Sequence, residues 1–137
     1  MDLNLFFANW YELLAYFTGF SDDLYNQNLY LTIGLCMVFI PIGVLTIYYY
    51  VVNSVRYSKW WHWLILVVIL CAINFAISYN ITYNELSNFY QQQNKTLPYT
   101  TEFFSFSLIN ALWTFIVSFV WSMIIKWGSK NGRRTPF

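Results

Sequence analysis

The chain has 137 residues, of which 58% are hydrophobic and only 9% charged, and its mean hydropathy is +0.44. Soluble domains carry about 25% charged residues, so the surface of a dissolved monomer is excluded and an all-α integral membrane protein is expected. The net charge of +1, with no basic stripe outside the C-terminal tail, gives nucleic acid no footing.

Residues 1–20 carry only Asp2 and Glu12 as charges, with no basic start and no small-residue cleavage site, so they do not read as a signal peptide. Leu3, Phe6, Phe7, Trp10, Leu13, Leu14, Phe17 and Phe20 recur at three- and four-residue spacing. Asp2, Asn9, Glu12 and Tyr16 fall on the opposite side. The pattern predicts an amphipathic helix lying in the membrane interface, with Glu12 and Asn9 offered to a partner. A fourth span is the alternative, opposed by a mid-helix carboxylate that costs roughly 2.5–3.5 kcal/mol in lipid.

Residues 19–28 read as a break, and Ser21-Asp22-Asp23 as a cluster that can start a helix. Three apolar segments follow. The first, 31–52, is free of charge, contains Pro41 and ends on Tyr48-Tyr49-Tyr50, an interfacial aromatic belt. A short elbow with Arg56 and Lys59 leads to the second, 60–79, which opens on Trp60, Trp61 and Trp63 and holds Asn74 and Ser78. Residues 80–102 are polar and read as a loop, with glycosylation sequons at Asn80 and Asn94 that matter only in an ER lumen. The third span, 103–125, shows Ser107, Ala111, Thr114, Ser118 and Ser122 as one stripe of small residues, suited to close helix packing. Asn74 and Asn110, each the only carboxamide of its span, are expected to pair side chain to side chain. A basic tail, 126–137, ends the chain.

Charge sets the expected topology. Arg56, Lys59, Lys126, Lys130, Arg133 and Arg134 lie in the elbow and tail, whereas all six acids and Lys95 lie on the other side. The positive-inside rule puts the elbow and C-terminus in the cytoplasm and the 80–102 connection outside.

None of the three apolar spans carries an Asp, Glu, Lys or Arg in its interior, and no catalytic, phosphate-binding or metal motif is present. The lone His62, among tryptophans, reads as an interfacial polar residue, and Cys36 and Cys71 as small buried hydrophobes. No cofactor is expected. The favoured reading is a non-catalytic subunit of a multi-protein inner-membrane assembly, such as a bacterial secretion or injection machine, with the lipid bilayer and other membrane subunits as partners. The abundance of Asn, Tyr, Phe and Ile suits an AT-rich genome, bacterial or, alternatively, mitochondrial. A homo-oligomeric, holin-like pore lined by Ser107, Asn110, Thr114 and Ser118 is the second reading. A lipid-handling enzyme using His62, Glu85 and Glu102 is the third.

Overall fold

The structure is a computed structural model and describes residues 2–52, Arg56 and residues 59–128. Lys130, Arg133, Arg134 and most of the tail therefore lie outside the described residues. Among the described residues five α-helices follow in order: α1 (Leu3–Glu12), α2 (Phe20–Asn26), α3 (Leu29–Thr46), α4 (Trp60–Gln92) and α5 (Thr101–Ile125). A π-helical turn, Ile47–Val52, continues α3, and a 3₁₀ turn, Lys126–Gly128, ends α5. There is no strand among the described residues. Three stretches, Leu29–Val51, Trp60–Gln92 and Thr101–Ile125, are long and apolar enough to cross a membrane. The protein is thus an all-α, multi-pass membrane protein. At ten residues, about 15 Å, α1 is too short to be a fourth span.

Two of the expected elements need correction. The segment read as a loop, 80–102, is helical as far as Gln92, and the connection is confined to 93–100. Polar composition disguised the helix, but Thr82 and Leu86 stay buried on the same four-residue spacing as Asn74 and Ser78. At 33 residues α4 is about 50 Å long, so about 20 Å of it reaches beyond a 30 Å hydrocarbon core. The second correction is at the N-terminus, where one helix over 1–20 is replaced by α1, a bend and α2. The bend turns the chain back so that Phe20 is fully buried, edge-on to Phe17, Tyr99, Phe103 and Phe106. Gly19 makes the turn at φ +81°, where a side chain would be strained and a Cβ would sit 3.1 Å from the Tyr99 hydroxyl.

The long helices α3 and α5 run in the same direction, antiparallel to α4, around two apolar clusters. One, at the acidic end, joins Phe7, Tyr11, Phe20, Leu24, Tyr30, Phe103 and Phe106 from α1, α2, α3 and α5. The other, at the basic end, joins Leu45, Tyr49, Trp63, Val67, Leu70 and Ile125. Trp63 is inside this second cluster, not in an interfacial belt, and donates its indole N–H to Ser122 Oγ at 2.9 Å.

Candidate functional site

Between the clusters, α4 and α5 meet along a seam of small and polar residues. Asn74, Ser78 and Thr82 on α4, and Ser107, Asn110, Thr114, Ser118 and Ser122 on α5, are all fully buried. Most of the hydroxyls are satisfied within their own helix: Ser107 bonds Phe103 O at 2.7 Å, Thr114 bonds Asn110 O at 2.9 Å and Ser118 bonds Thr114 O at 2.7 Å. Thr82 does the same to Ser78 O at 2.7 Å, and Ser78 to Phe75 O at 3.1 Å. A hydroxyl so bonded presents a small, nearly apolar surface, and two backbones can approach closely. Ala111 is only half-buried, because the true contact line runs Asn110, Thr114, Ser118, Ser122 at strict four-residue spacing.

The expected side-chain pair between Asn74 and Asn110 is not made. Asn110 instead donates from Nδ2 to the Asn74 backbone carbonyl at 2.8 Å, and its Oδ1 accepts the Tyr11 hydroxyl at 2.5 Å. Tyr11, from α1, was not legible as a partner in the sequence, since its ring reads as one more aromatic. Burial holds its hydroxyl above the ordinary tyrosine value, so it stays a donor.

That bond is part of how α1 docks. Its buried side is Asn4, Phe7, Ala8 and Tyr11, whereas Leu3, Leu13 and Leu14 from the apolar stripe are exposed. The exposed side carries apolar Leu3, Leu5 and Phe6 together with polar Asp2 and Asn9, and the line between these two edges turns in. Phe7 lies over Gly34 so closely that a Cβ there would be 2.4 Å from the ring. Asn4 accepts the Leu31 N–H at 3.1 Å and donates to Tyr25 O at 3.0 Å. It thereby caps α3, which has no side-chain cap of its own at Asn28. Trp10 stacks on Trp113 with centroids 5.1 Å apart. At the far end of the cap, Asp23 on α2 accepts hydroxyls from Tyr90 at 2.6 Å and Tyr99 at 2.7 Å. Burial and those bonds raise the Tyr99 hydroxyl above its usual value.

Docking α1 and bending the chain into α2 create a cleft of about 400 Å³. Asn9 and Glu12 line it, with Leu5, Ala8, Tyr16, Asp22, Tyr25 and Asn26. Tyr16 donates to Asp22 at 2.9 Å, which raises the Tyr16 hydroxyl above its ordinary value, and Tyr30 donates to Glu12 at 3.4 Å. Neither carboxylate has a cationic partner among the described residues. The cleft is therefore negative, rimmed by exposed Asn9, Tyr16, Asp22, Tyr25 and Asn26, and open to a cationic group.

The other sites read from the sequence do not converge. Glu85 is exposed on α4, Glu102 accepts the Thr100 N–H at 3.1 Å, and His62 lies on the first turn of α4 near the basic end. Arg56 and Lys59 flank the start of α4 and Lys126 follows α5, so all three sit at one end of the bundle, away from the acidic cap. No group of three or more His, Cys, Asp or Glu that could hold a metal occurs among the described residues. Cys36 and Cys71 are unbridged and half-buried.

The geometry defines a class, a three-span helical membrane protein with an acidic cap on one end. No known protein family, curated protein or solved structure matches the chain.

Proposed function

We propose that the protein is a non-catalytic subunit of a larger membrane assembly, and that the α1–α2 cleft is where a cationic segment of a neighbouring subunit docks. The observation that carries this reading is the cleft itself: Glu12 and Asp22 face one cavity of about 400 Å³ with no cation beside either of them among the described residues. A Lys or Arg side chain entering it would gain two charge-assisted contacts and the Asn9 and Asn26 amides. The positive-inside rule puts this end outside the cytoplasm and the basic end within it, as in a bacterial inner membrane. A secretion or injection machine is the setting we favour.

Burial of Ser107, Asn110, Thr114 and Ser118 inside one copy weighs against a pore lined by these residues, because they are already used to hold α5 to α4. The scatter of His62, Glu85 and Glu102 weighs likewise against a lipid-handling enzyme.

The experiment is purification of the intact protein after gentle detergent extraction, followed by mass spectrometry of what accompanies it. Other membrane subunits should co-purify with the native chain and be lost on Glu12→Lys with Asp22→Lys, while the variant keeps its helicity. Recovery of copies of this chain alone, or of the same partners with the charge-reversed variant, would overturn the reading.

A further inference from the structure

The α4–α5 seam contains one group whose chemistry is unanswered. Both polar atoms of the Asn74 side chain, Nδ2 and Oδ1, are buried without a hydrogen-bond partner, and the residue is wholly inaccessible. An unpaired amide in such a setting costs several kcal/mol, and in native structures the large majority of such groups have a protein or water partner. The protein cannot easily supply the partner. The nearest carboxamide, Asn110, is committed at both ends, to Tyr11 through Oδ1 and to the Asn74 carbonyl through Nδ2. Ser78, Ser107 and Thr114 have given their protons to main-chain carbonyls, but each hydroxyl oxygen keeps lone pairs. The antiparallel register set by the Asn110–Asn74 and Trp63–Ser122 bonds brings this small-residue stretch of α5 opposite Asn74.

We propose that Asn74 marks a buried water site within the seam. A water there accepts from Nδ2 or donates to Oδ1 and completes its bonds on the hydroxyl oxygens of the facing small residues. An internal water needs room and two to four polar partners; the Asn74 amide and the oxygens of the facing hydroxyls are the groups that would supply the partners. The site rests on the docking of α1, because Tyr11 occupies the Asn110 oxygen that the Asn74 amide would otherwise use.

The test uses the full-length protein in lipid nanodiscs. With ¹⁵N-asparagine labelling, the Asn74 side-chain protons should show cross-relaxation to a long-lived water. In difference infrared spectra, an O–H band that shifts on exchange into H₂¹⁸O should be present in the native protein and lost in Asn74→Leu. If the leucine variant does not fold, the nuclear magnetic resonance measurement on the native chain decides alone. Asn74 protons that relax only through protein protons would overturn the site, as would an ¹⁸O-sensitive band of equal intensity in native protein and folded Asn74→Leu.

Discussion

Helix α5 is held on two sides by different means. Against α4 it uses mainly small hydroxyl residues that bond their own backbone, with two bonds across the seam, Asn110 to the Asn74 carbonyl and Trp63 to Ser122, so most of the contact depends on shape. Against α1 it uses bonds that cross between elements, chief among them Tyr11 to Asn110, backed by the Asn4 cap on α3. A shape contact tolerates loss of a hydroxyl and fails on added bulk. A contact made of single bonds fails when one partner is lost. The difference gives the two regions different sensitivities to the loss of a single hydroxyl.

The largest effect is expected from bulk in the seam. Ser118 is fully buried, so Ser118→Leu must part the helices, whereas Ser118→Ala removes a hydroxyl that bonds only the Thr114 carbonyl. Overpacking costs about 1–3 kcal/mol or more, and the alanine variant, which loses one hydroxyl–backbone bond, should cost no more than about 0.5–1.5 kcal/mol. Unfolding in mixed micelles measures both, and equal effects would erase the distinction. Next comes Gly34→Ala, whose methyl would meet the Phe7 ring at 2.4 Å. Here α1 must lift, at about 1–3 kcal/mol, and a cysteine at the buried position Ala8, with Cys36 and Cys71 replaced, should become reactive to maleimide. Asn4→Ala is expected to be milder, about 1 kcal/mol, the size of a lost helix cap, and to loosen the start of α3 in hydrogen exchange while leaving the seam protected.

The smallest effect is alkaline. Tyr99 is held above the ordinary tyrosine value, so it keeps its proton in the folded protein after the unfolded chain has lost it. Stability should therefore be intact below about pH 10 and decline as pH rises beyond it. A Tyr99→Phe variant should show less of that decline.

The spans and the seam were legible because a membrane writes them plainly. Long uncharged runs mark helices, and small residues on one side of α5 mark the face that lipid does not cover, although the stripe as read from spacing took in half-buried Ala111 where Asn110 makes the contact. The cap was not legible, for two reasons. At the N-terminus periodicity found an apolar face for the membrane interface, and Leu3, Leu13 and Leu14 are exposed, but it did not show that Asn4, Phe7, Ala8 and Tyr11 form a separate line buried against the bundle. The ties that dock it, Asn4 to Leu31 and Tyr11 to Asn110, join residues 27 and 99 positions apart, and no local pattern records them. The polar end of α4 was lost to composition, since Asn, Gln and Tyr suggest a loop even where Thr82 and Leu86 continue the buried line. Asn9 and Glu12 could be picked out as polar residues on an otherwise apolar helix, but Asp22, Tyr16 and Tyr25 join them only after the chain bends.

That α1 is fastened into the bundle through Tyr11 is the claim on which the cleft, and the proposed docking, depend. A double-mutant cycle on Tyr11→Phe and Asn110→Leu, read by reversible unfolding in bicelles, tests it directly. Hydrogen bonds between membrane helices couple by about 0.6 kcal/mol on average and up to about 1.7. A coupling in that range, with Ala8→Cys protected from maleimide in the otherwise native chain lacking Cys36 and Cys71, is the expected result. Strict additivity together with full reactivity at position 8 would contradict it.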